Sequence, residues 1–148
     1  MIPAYQAVDL YEHTLRRGRW HQVGARLRGQ TAKLPNLAMA VGDRPINAHP
    51  CIGTQTVPIN QIRGSEGRRD DFDDAFRPIQ ARTSARWQSI ARAWLQGAKL
   101  PPVSLIRLGD VYYVRDGHHQ ISVARTLGQR EIDAIVTVWD VATPVRGQ

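Results

Sequence analysis

The sequence predicts an α+β fold, a compact domain with a small mixed sheet preceded by a helical N-terminal segment. Residues 111–114 are a run of β-branched and aromatic side chains, which is typical of a strand. Residues 117–127 and 84–95 instead carry apolar side chains at helical spacing. The elements follow in the order strand, charged loop, helix, hairpin, helix, strand, and this order favours an α+β domain.

Composition narrows the class of protein. The chain has 148 residues, 42% of them hydrophobic and 22% charged, as in a soluble globular domain. It lacks a long apolar run and the order of a signal peptide, so we expect a cytoplasmic protein with no membrane partner. The single cysteine, Cys51, excludes an internal disulfide and a four-thiolate metal site. The net charge of +7 favours an anionic partner without identifying it.

Residues 4–27 predict a helical segment, in two pieces separated near Gly18. Two interpretations of this basic segment stay open. Either it lies on the phosphates of DNA, aided by Trp20 or Tyr11, or it packs on the main domain with its charges in water. The second is commoner for an arginine-rich face, and no groove-reading motif accompanies the segment. Under the first, the nucleic-acid-binding residues are Arg16, Arg17, Arg19, Arg26 and Arg28.

The next part of the chain predicts a linker. Residues 29–53 are punctuated by proline and glycine around one short predicted helix at residues 37–41. We therefore divide the chain into a basic helical N-terminal segment with its linker (residues 1–55), a main domain (residues 56–140) and a loose tail (residues 141–148).

Within the main domain, residues 56–62 predict a first strand, and Pro58 within it indicates an edge strand or a strand start. A loop at residues 63–73 carries glycines and charges of both signs, which is typical of a surface or a site. Residues 103–108 and 111–114 predict a hairpin, and residues 132–138 predict the last strand.

The junction at Asp116 and Gly117 carries the clearest chemical signal. The first N–H groups of a helix have no intrahelical acceptor and lie at the positive end of its dipole, so a strand–glycine–helix unit can receive a phosphate. We expect Asp116 to cap this helix and His118 and His119 to lie in its first turn, His118 as a positioning or surface residue. Gly117 is needed either for the approach of a phosphate or only for the turn.

The ordered motifs of the main domain resemble those of the ParB/sulfiredoxin-like superfamily. The resemblance runs from Thr56 to about Val138 and rests on VPINQI, EGRRDDFD, a helix ending at Gly97, LPPVSLI, YYVRDGHHQISVARTLG and IDAIVTV. In ParB-type proteins the helix that corresponds to the one at Gly117 holds the phosphates of a nucleotide. The resemblance therefore implies a nucleotide, ATP, ADP or CTP, with Mg²⁺ as cofactor.

The sequence departs from the family pattern at the start of this helix. His118, His119 and Gln120 stand where acidic and then basic residues are expected, which makes a DGHH variant of the motif. Sulfiredoxin has its catalytic cysteine at the position of His118, so its redox chemistry is not implied here. The free serine kinases of the superfamily resemble this chain at Asp116, Gly117 and His119, and Glu66 is the nearest candidate for their acidic loop residue.

We expect the site in a cleft between the loop at residues 66–73, the Pro101–Pro102 segment and the helix start at Gly117. A metal held by both histidines is not expected, because adjacent helical residues point about 100° apart. A Mg²⁺ ion brought by a nucleotide would contact Asp116 or Glu66. The candidate catalytic residues are Glu66, Asp116 and His119, and the candidate nucleotide- or phosphate-binding residues are Arg68, Arg69, Pro101, Gly117, His118, His119 and Gln120.

Two of these assignments have alternatives. Arg68 and Arg69 could clamp a phosphate, or they could pair with the aspartates that follow them. His119 could act as an acid, a base or a donor to phosphate, or it could only bond the neighbouring loop.

The leading functional hypothesis is a nucleotide- or phosphate-binding protein, with phosphoryl transfer or nucleotide hydrolysis left open. The alternative is a DNA-binding accessory protein, partition- or nuclease-like, that uses the basic N-terminal segment. The expected partners are thus a nucleotide or another phosphorylated ligand, or DNA, and a homodimer is compatible with the sequence.

Overall fold

A computed structural model describes residues 4–30, 32–67 and 70–141 of the chain. These residues form an α+β fold with a mixed sheet, which confirms the predicted fold class. The elements in chain order are α1 (Ala4–Leu27), α2 (Leu37–Val41), β1 (Ile46–Pro50), β2 (Gln55–Pro58), β3 (Ile62–Ser65), α3 (Ser84–Leu95), β4 (Val103–Leu108), β5 (Val111–Asp116), α4 (His118–Thr126) and β6 (Glu131–Val141), with short 3-10 turns at Ile59–Gln61 and Ala81–Thr83.

The sheet has six strands within the described ranges, in the order β1-β6-β4-β5-β3, with β2 also paired to β6. The long strand β6 pairs antiparallel with β2 along its first half and with β1 along its second half. The hairpin of β4 and β5 is antiparallel, as predicted. The pairs β4–β6 and β3–β5 are parallel, so the sheet is mixed.

The main core lies between one face of the sheet and helices α1, α3 and α4. Strand β6 alternates between buried and exposed residues along most of its length, because only one face is covered there. Trp87 of α3 is fully buried, its ring centroid lies 5.5 Å from that of Tyr11, and its Nε1–H donates to Ser122 Oγ at 2.9 Å. The Tyr11 hydroxyl in turn shares a hydrogen bond of 2.8 Å with Thr83 Oγ1. Trp87 therefore joins all three helices.

Helix α2 packs in a smaller cluster apart from this core. Leu37 and Val41 are buried there with Ile106 of β4 and Tyr113 of β5. The Asn36 side chain caps this helix by accepting a hydrogen bond from the Ala38 N–H at 2.8 Å. The short helix predicted at residues 37–41 is confirmed.

Helix α1 is continuous, so the predicted break near Gly18 is wrong. A side chain at Gly18 would put its Cβ 2.7 Å from the Pro78 carbonyl oxygen, so glycine is needed there for close contact with the loop beneath the helix. The buried face of α1 includes Tyr11 and Leu15, which belong to the main core. Tyr11 is therefore unavailable to a nucleic acid, contrary to one of the interpretations above.

The predicted linker and first strand also differ from the structure. Residues 46–50, predicted as loop, form β1, and all of them are exposed, so no alternation marks the strand in the sequence. The single strand predicted at residues 56–62 is two strands, because a 3-10 turn carries the chain from β2, beside β6, to β3, beside β5. Strand β3 also takes the first three residues of the predicted loop, Arg63, Gly64 and Ser65.

Val141 ends β6, and the rest of the predicted tail lies outside the described residues. No helix in the described part of the chain is both long enough and apolar enough to cross a bilayer.

Candidate functional site

A pocket of about 310 Å³ lies where α4 begins, and we call it the α4 pocket. Its walls come from α3, from the segment that leads into β4, from the end of β5 and from the first turn of α4. Two of the three parts of the predicted cleft, the Pro101–Pro102 segment and the helix start, line it together. The predicted site residues that line it are Pro101, Asp116, Gly117, His118, His119 and Gln120.

Gly117 fixes the geometry of this pocket. It occupies the N-cap position of α4 with φ of 108°, in a region that favours glycine. A Cβ at this position would lie 2.5 Å from Val103 Cγ1, so the helix start also approaches β4 too closely for any side chain. Asp116 is the last residue of β5, opposite Ser104, and Gly117 holds the cap position, so the prediction that Asp116 caps the helix is wrong.

His118 is buried rather than at the surface. Its side chain is buried, and Nε2 shares a hydrogen bond of 2.8 Å with Ser65 Oγ at the end of β3. The Phe72 ring stacks near the imidazole with the centroids 6.4 Å apart. These contacts join the start of α4 to β3 and to the charged loop.

His119 is half-buried and lines the α4 pocket. The Phe72 ring meets its imidazole edge-on, with 5.2 Å between centroids. Phe72 is itself fully buried, so one aromatic ring orients both histidines. Phe72 and Ser65 could not be singled out from the sequence, because each contacts a histidine more than forty positions away along the chain.

Gln120 lies on the boundary between the α4 pocket and a neighbouring one. Its Nε2 donates to the Pro101 carbonyl oxygen at 2.8 Å, and both residues line both pockets. The neighbouring pocket, of about 230 Å³, also contains Trp94 and Lys99, and we call it the Trp94 pocket.

One arginine that lines the α4 pocket, Arg86, is not among the predicted site residues. Arg86 of α3 is exposed and lines the pocket opposite the first turn of α4. Arg86 lies off the apolar stripe of α3, where an arginine is ordinary. Only the packing of α3 against α4 shows that it lies at the pocket. Arg68 and Arg69, the predicted cations, lie outside the described residues.

Glu66 is not among the residues that line the α4 pocket. Its Oε2 accepts a hydrogen bond from Arg115 Nε at 2.6 Å in an ion pair whose side chains are 40% and 41% exposed. Of the predicted catalytic residues, Asp116 and His119 therefore share the pocket and Glu66 does not line it.

The charged loop ends in a tight turn from Asp73 to Arg77. The fully buried Asp73 accepts hydrogen bonds at Oδ1 from the N–H groups of Ala75 and Arg77, at 2.9 and 2.8 Å. Burial raises the pKa of Asp73, although the backbone hydrogen bond from Arg77 and its positive charge act in the opposite direction. Phe76, inside the turn, has φ of 60°, a conformation that costs a residue other than glycine about 1–3 kcal/mol.

The arginines of the alternative, DNA-binding interpretation are all exposed. Trp20 lies among them and is 72% exposed. The five exposed arginines are Arg16, Arg17, Arg19 and Arg26 on α1 and Arg28 just beyond it.

Comparison with solved structures finds sulfiredoxin from Arabidopsis thaliana. The two chains align with a TM-score of 0.39 and 18% sequence identity. The alignment covers 57% of this chain and 83% of the sulfiredoxin chain. No protein-family model matches the chain, and no curated protein matches it. Membership of the ParB/sulfiredoxin-like superfamily stays a prediction from the motifs, and function has to be inferred from the geometry of the chain itself.

Proposed function

We propose that the protein binds a phosphorylated small molecule, specifically a nucleotide with Mg²⁺, and that the phosphates lie in the α4 pocket. The observation that carries the proposal is that Arg86 and the first turn of α4 line one pocket. A helix N-terminus and a guanidinium group both attract phosphate, the first through its dipole and the second through paired N–H donors.

The other residues of the pocket suit the same ligand. Asp116 is exposed and offers a carboxylate to the Mg²⁺ ion that accompanies a nucleotide. His119 can donate a hydrogen bond to a phosphate oxygen or exchange a proton with the ligand. Phosphoryl transfer or hydrolysis, if the nucleotide reacts, would use these two residues, because both face the same space.

The Trp94 pocket provides room for the rest of a nucleotide. Ligand pockets usually enclose about 300–1,000 Å³, and the α4 pocket alone is at the lower end of this range. The indole of Trp94, beyond the Gln120–Pro101 hydrogen bond, offers a ring against which a base can pack.

A nucleotide thermal-shift experiment tests this proposal. ATP, ADP or CTP with Mg²⁺, at ten times its Kd, is expected to raise Tm by roughly 3–6 °C, because a ligand that binds only the folded state stabilises it. Arg86→Ala should remove most of the shift. Arg92→Ala is the matched control, since it removes the same charge from an exposed position on the same helix outside the pocket. An unchanged Tm with every nucleotide, or an equal loss in both variants, would contradict the proposal.

A second candidate function is DNA binding through α1, and the exposed arginines beside Trp20 favour it. Deleting α1 cannot test it, because Tyr11 and Leu15 belong to the core. Changing Arg16, Arg19 and Arg26 to glutamine removes the charge and keeps the core. The dependence of log K on log salt for duplex DNA should then become shallower by up to about 3, because each lost phosphate contact removes about 0.9 from the slope.

The control for this experiment is the same change at Arg63, Arg92 and Arg130, three exposed arginines on other parts of the surface. This control variant lowers the net charge by the same amount as the variant in α1. If both triple variants alter the salt slope to the same extent, the binding is a general effect of charge and α1 is not the DNA-binding surface.

A further inference from the structure

Another pocket, of about 440 Å³, lies between α1, the Asp73–Arg77 turn and the last turn of α4. We call it the basic pocket, because three arginines line it, Arg17, Arg77 and Arg125. His13, Thr14 and Thr126 complete its polar wall. None of these residues lines the α4 pocket. The two pockets lie at opposite ends of α4, whose nine residues span about 13 Å.

Two of the three arginines are held in place by the fold. The Arg125 guanidinium lies over the ring of the buried Phe76, 6.0 Å from its centroid. Arg77 Nε lies 3.6 Å from Asp73 Oδ2, and its Nη1 donates to the Arg17 carbonyl oxygen at 3.5 Å. The strained Phe76 thus sits between two residues of the pocket wall, Ala75 and Arg77, and supports a third. Residues with strained backbone conformations cluster at binding and catalytic sites, where the surrounding structure holds them in place.

The protein neutralises the charge of the basic pocket only in part, because an ion pair is present at Arg77 alone among its three arginines in the described residues. Of the nearby acids, Asp73 faces Arg77, and Asp74 pairs with His21 at 3.0 Å. Among the described residues, no carboxylate lies within ion-pair distance of Arg17 or Arg125. Burial lowers the pKa of Arg125; the negative charges of Asp73 and Asp74 oppose this effect, and the positive charges of Arg77 and Arg63 add to it. An anion in the pocket would relieve this repulsion between guanidinium groups.

We propose that the basic pocket is a separate binding site for a compact, multiply charged anion, the phosphomonoester or diphosphate group of a small molecule. Guanidinium groups match the geometry of phosphate oxygens and form paired charge-assisted hydrogen bonds with them. The negative end of the α4 dipole opposes an anion here, but its effect is confined to the last turn, where Arg125 offsets it. The volume of the pocket suits a small molecule. The proposal does not depend on nucleotide binding in the α4 pocket.

Titration of the full chain with sodium pyrophosphate at constant ionic strength, followed by amide NMR shifts, tests the proposal. Saturable shifts are expected at Ala75 and Thr126, in the wall of the basic pocket. Arg17→Ala should weaken this binding about tenfold, which corresponds to about 1.4 kcal/mol for one lost charged contact. Arg17 is exposed, and the Arg77 contact uses its backbone carbonyl, so the substitution leaves the fold intact. Arg92→Ala, with the same change of charge, should leave the affinity within about twofold.

Three outcomes would overturn the proposal. The first is pyrophosphate shifts confined to residues 117–120, which would place the anion in the α4 pocket alone. The second is an equal loss of affinity in Arg17→Ala and Arg92→Ala, which would reduce the effect to net charge. The third is a duplex oligonucleotide that shifts Ala75 and Thr126 at lower concentration than pyrophosphate, which would assign the surface to nucleic acid.

Discussion

Replacing Trp87 with alanine is expected to lower the free energy of unfolding by about 3–5 kcal/mol. The side chain is fully buried, it packs on Tyr11 of α1, and its Nε1–H bonds Ser122 of α4. Its loss leaves a cavity between three helices and a buried serine hydroxyl without its donor. Since domains are stable by only about 5–15 kcal/mol, the loss should be plain in urea denaturation followed by circular dichroism.

Trp94→Ala is the matched control for this change. Trp94 lies on the same helix, two turns later, and is only half-buried. Its substitution should cost clearly less. Trp87→Phe separates packing from hydrogen bonding, because it keeps an aromatic ring and removes the donor to Ser122. A cost for Trp87→Ala no larger than that for Trp94→Ala would contradict the view that Trp87 joins the helices.

The parts of the fold that the sequence predicts are those with a local, repeated signal. The stripe that contains Trp87 predicts α3 with the bounds that the structure has, and the hairpin of β4 and β5 follows from two apolar runs around a tight turn. Strand β1 gives no such signal, since all its residues are exposed and its order comes from pairing with the far half of β6. The predicted break of α1 at Gly18 was wrong, because in a sequence a glycine that is needed for close packing looks the same as a glycine that breaks a helix.

In the candidate site, too, the residues with a local sequence signal could be predicted, and those that depend on contacts with distant parts of the chain could not. Gly117 and the two histidines lie in one contiguous motif, so the strand–turn–helix unit and two of the three walls of the cleft could be predicted. Arg86 could not, because it reaches the pocket from another helix at a position that is polar on any surface helix. The basic pocket is harder still, since Arg17, Arg77 and Arg125 come from three separate parts of the chain.

Gly117→Ala is expected to lower the free energy of unfolding by roughly 2–5 kcal/mol and to weaken nucleotide binding in the α4 pocket. Two costs add at this position. An alanine at φ of 108° is strained, and its Cβ would lie 2.5 Å from Val103 Cγ1. Relief of this overlap requires the first turn of α4 to move away from β4, and that movement also displaces the groups proposed to hold phosphate. Urea denaturation and the nucleotide thermal shift measure the two effects.

Gly128→Ala separates these two costs, because Gly128 follows the other end of α4 with φ of 76° and open space around its Cα. Gly128→Ala should lower the free energy of unfolding by the conformational cost alone, about 1–2 kcal/mol, and leave nucleotide binding unchanged. Val103→Ala combined with Gly117→Ala should then cost less than the sum of the single changes, since the smaller side chain removes the overlap. If the double variant is strictly additive and Gly117→Ala costs no more than Gly128→Ala, the contact with β4 does not set the position of α4. In that case the turn at Gly117 serves chain reversal only, and the proposal for the α4 pocket would rest on Arg86 alone.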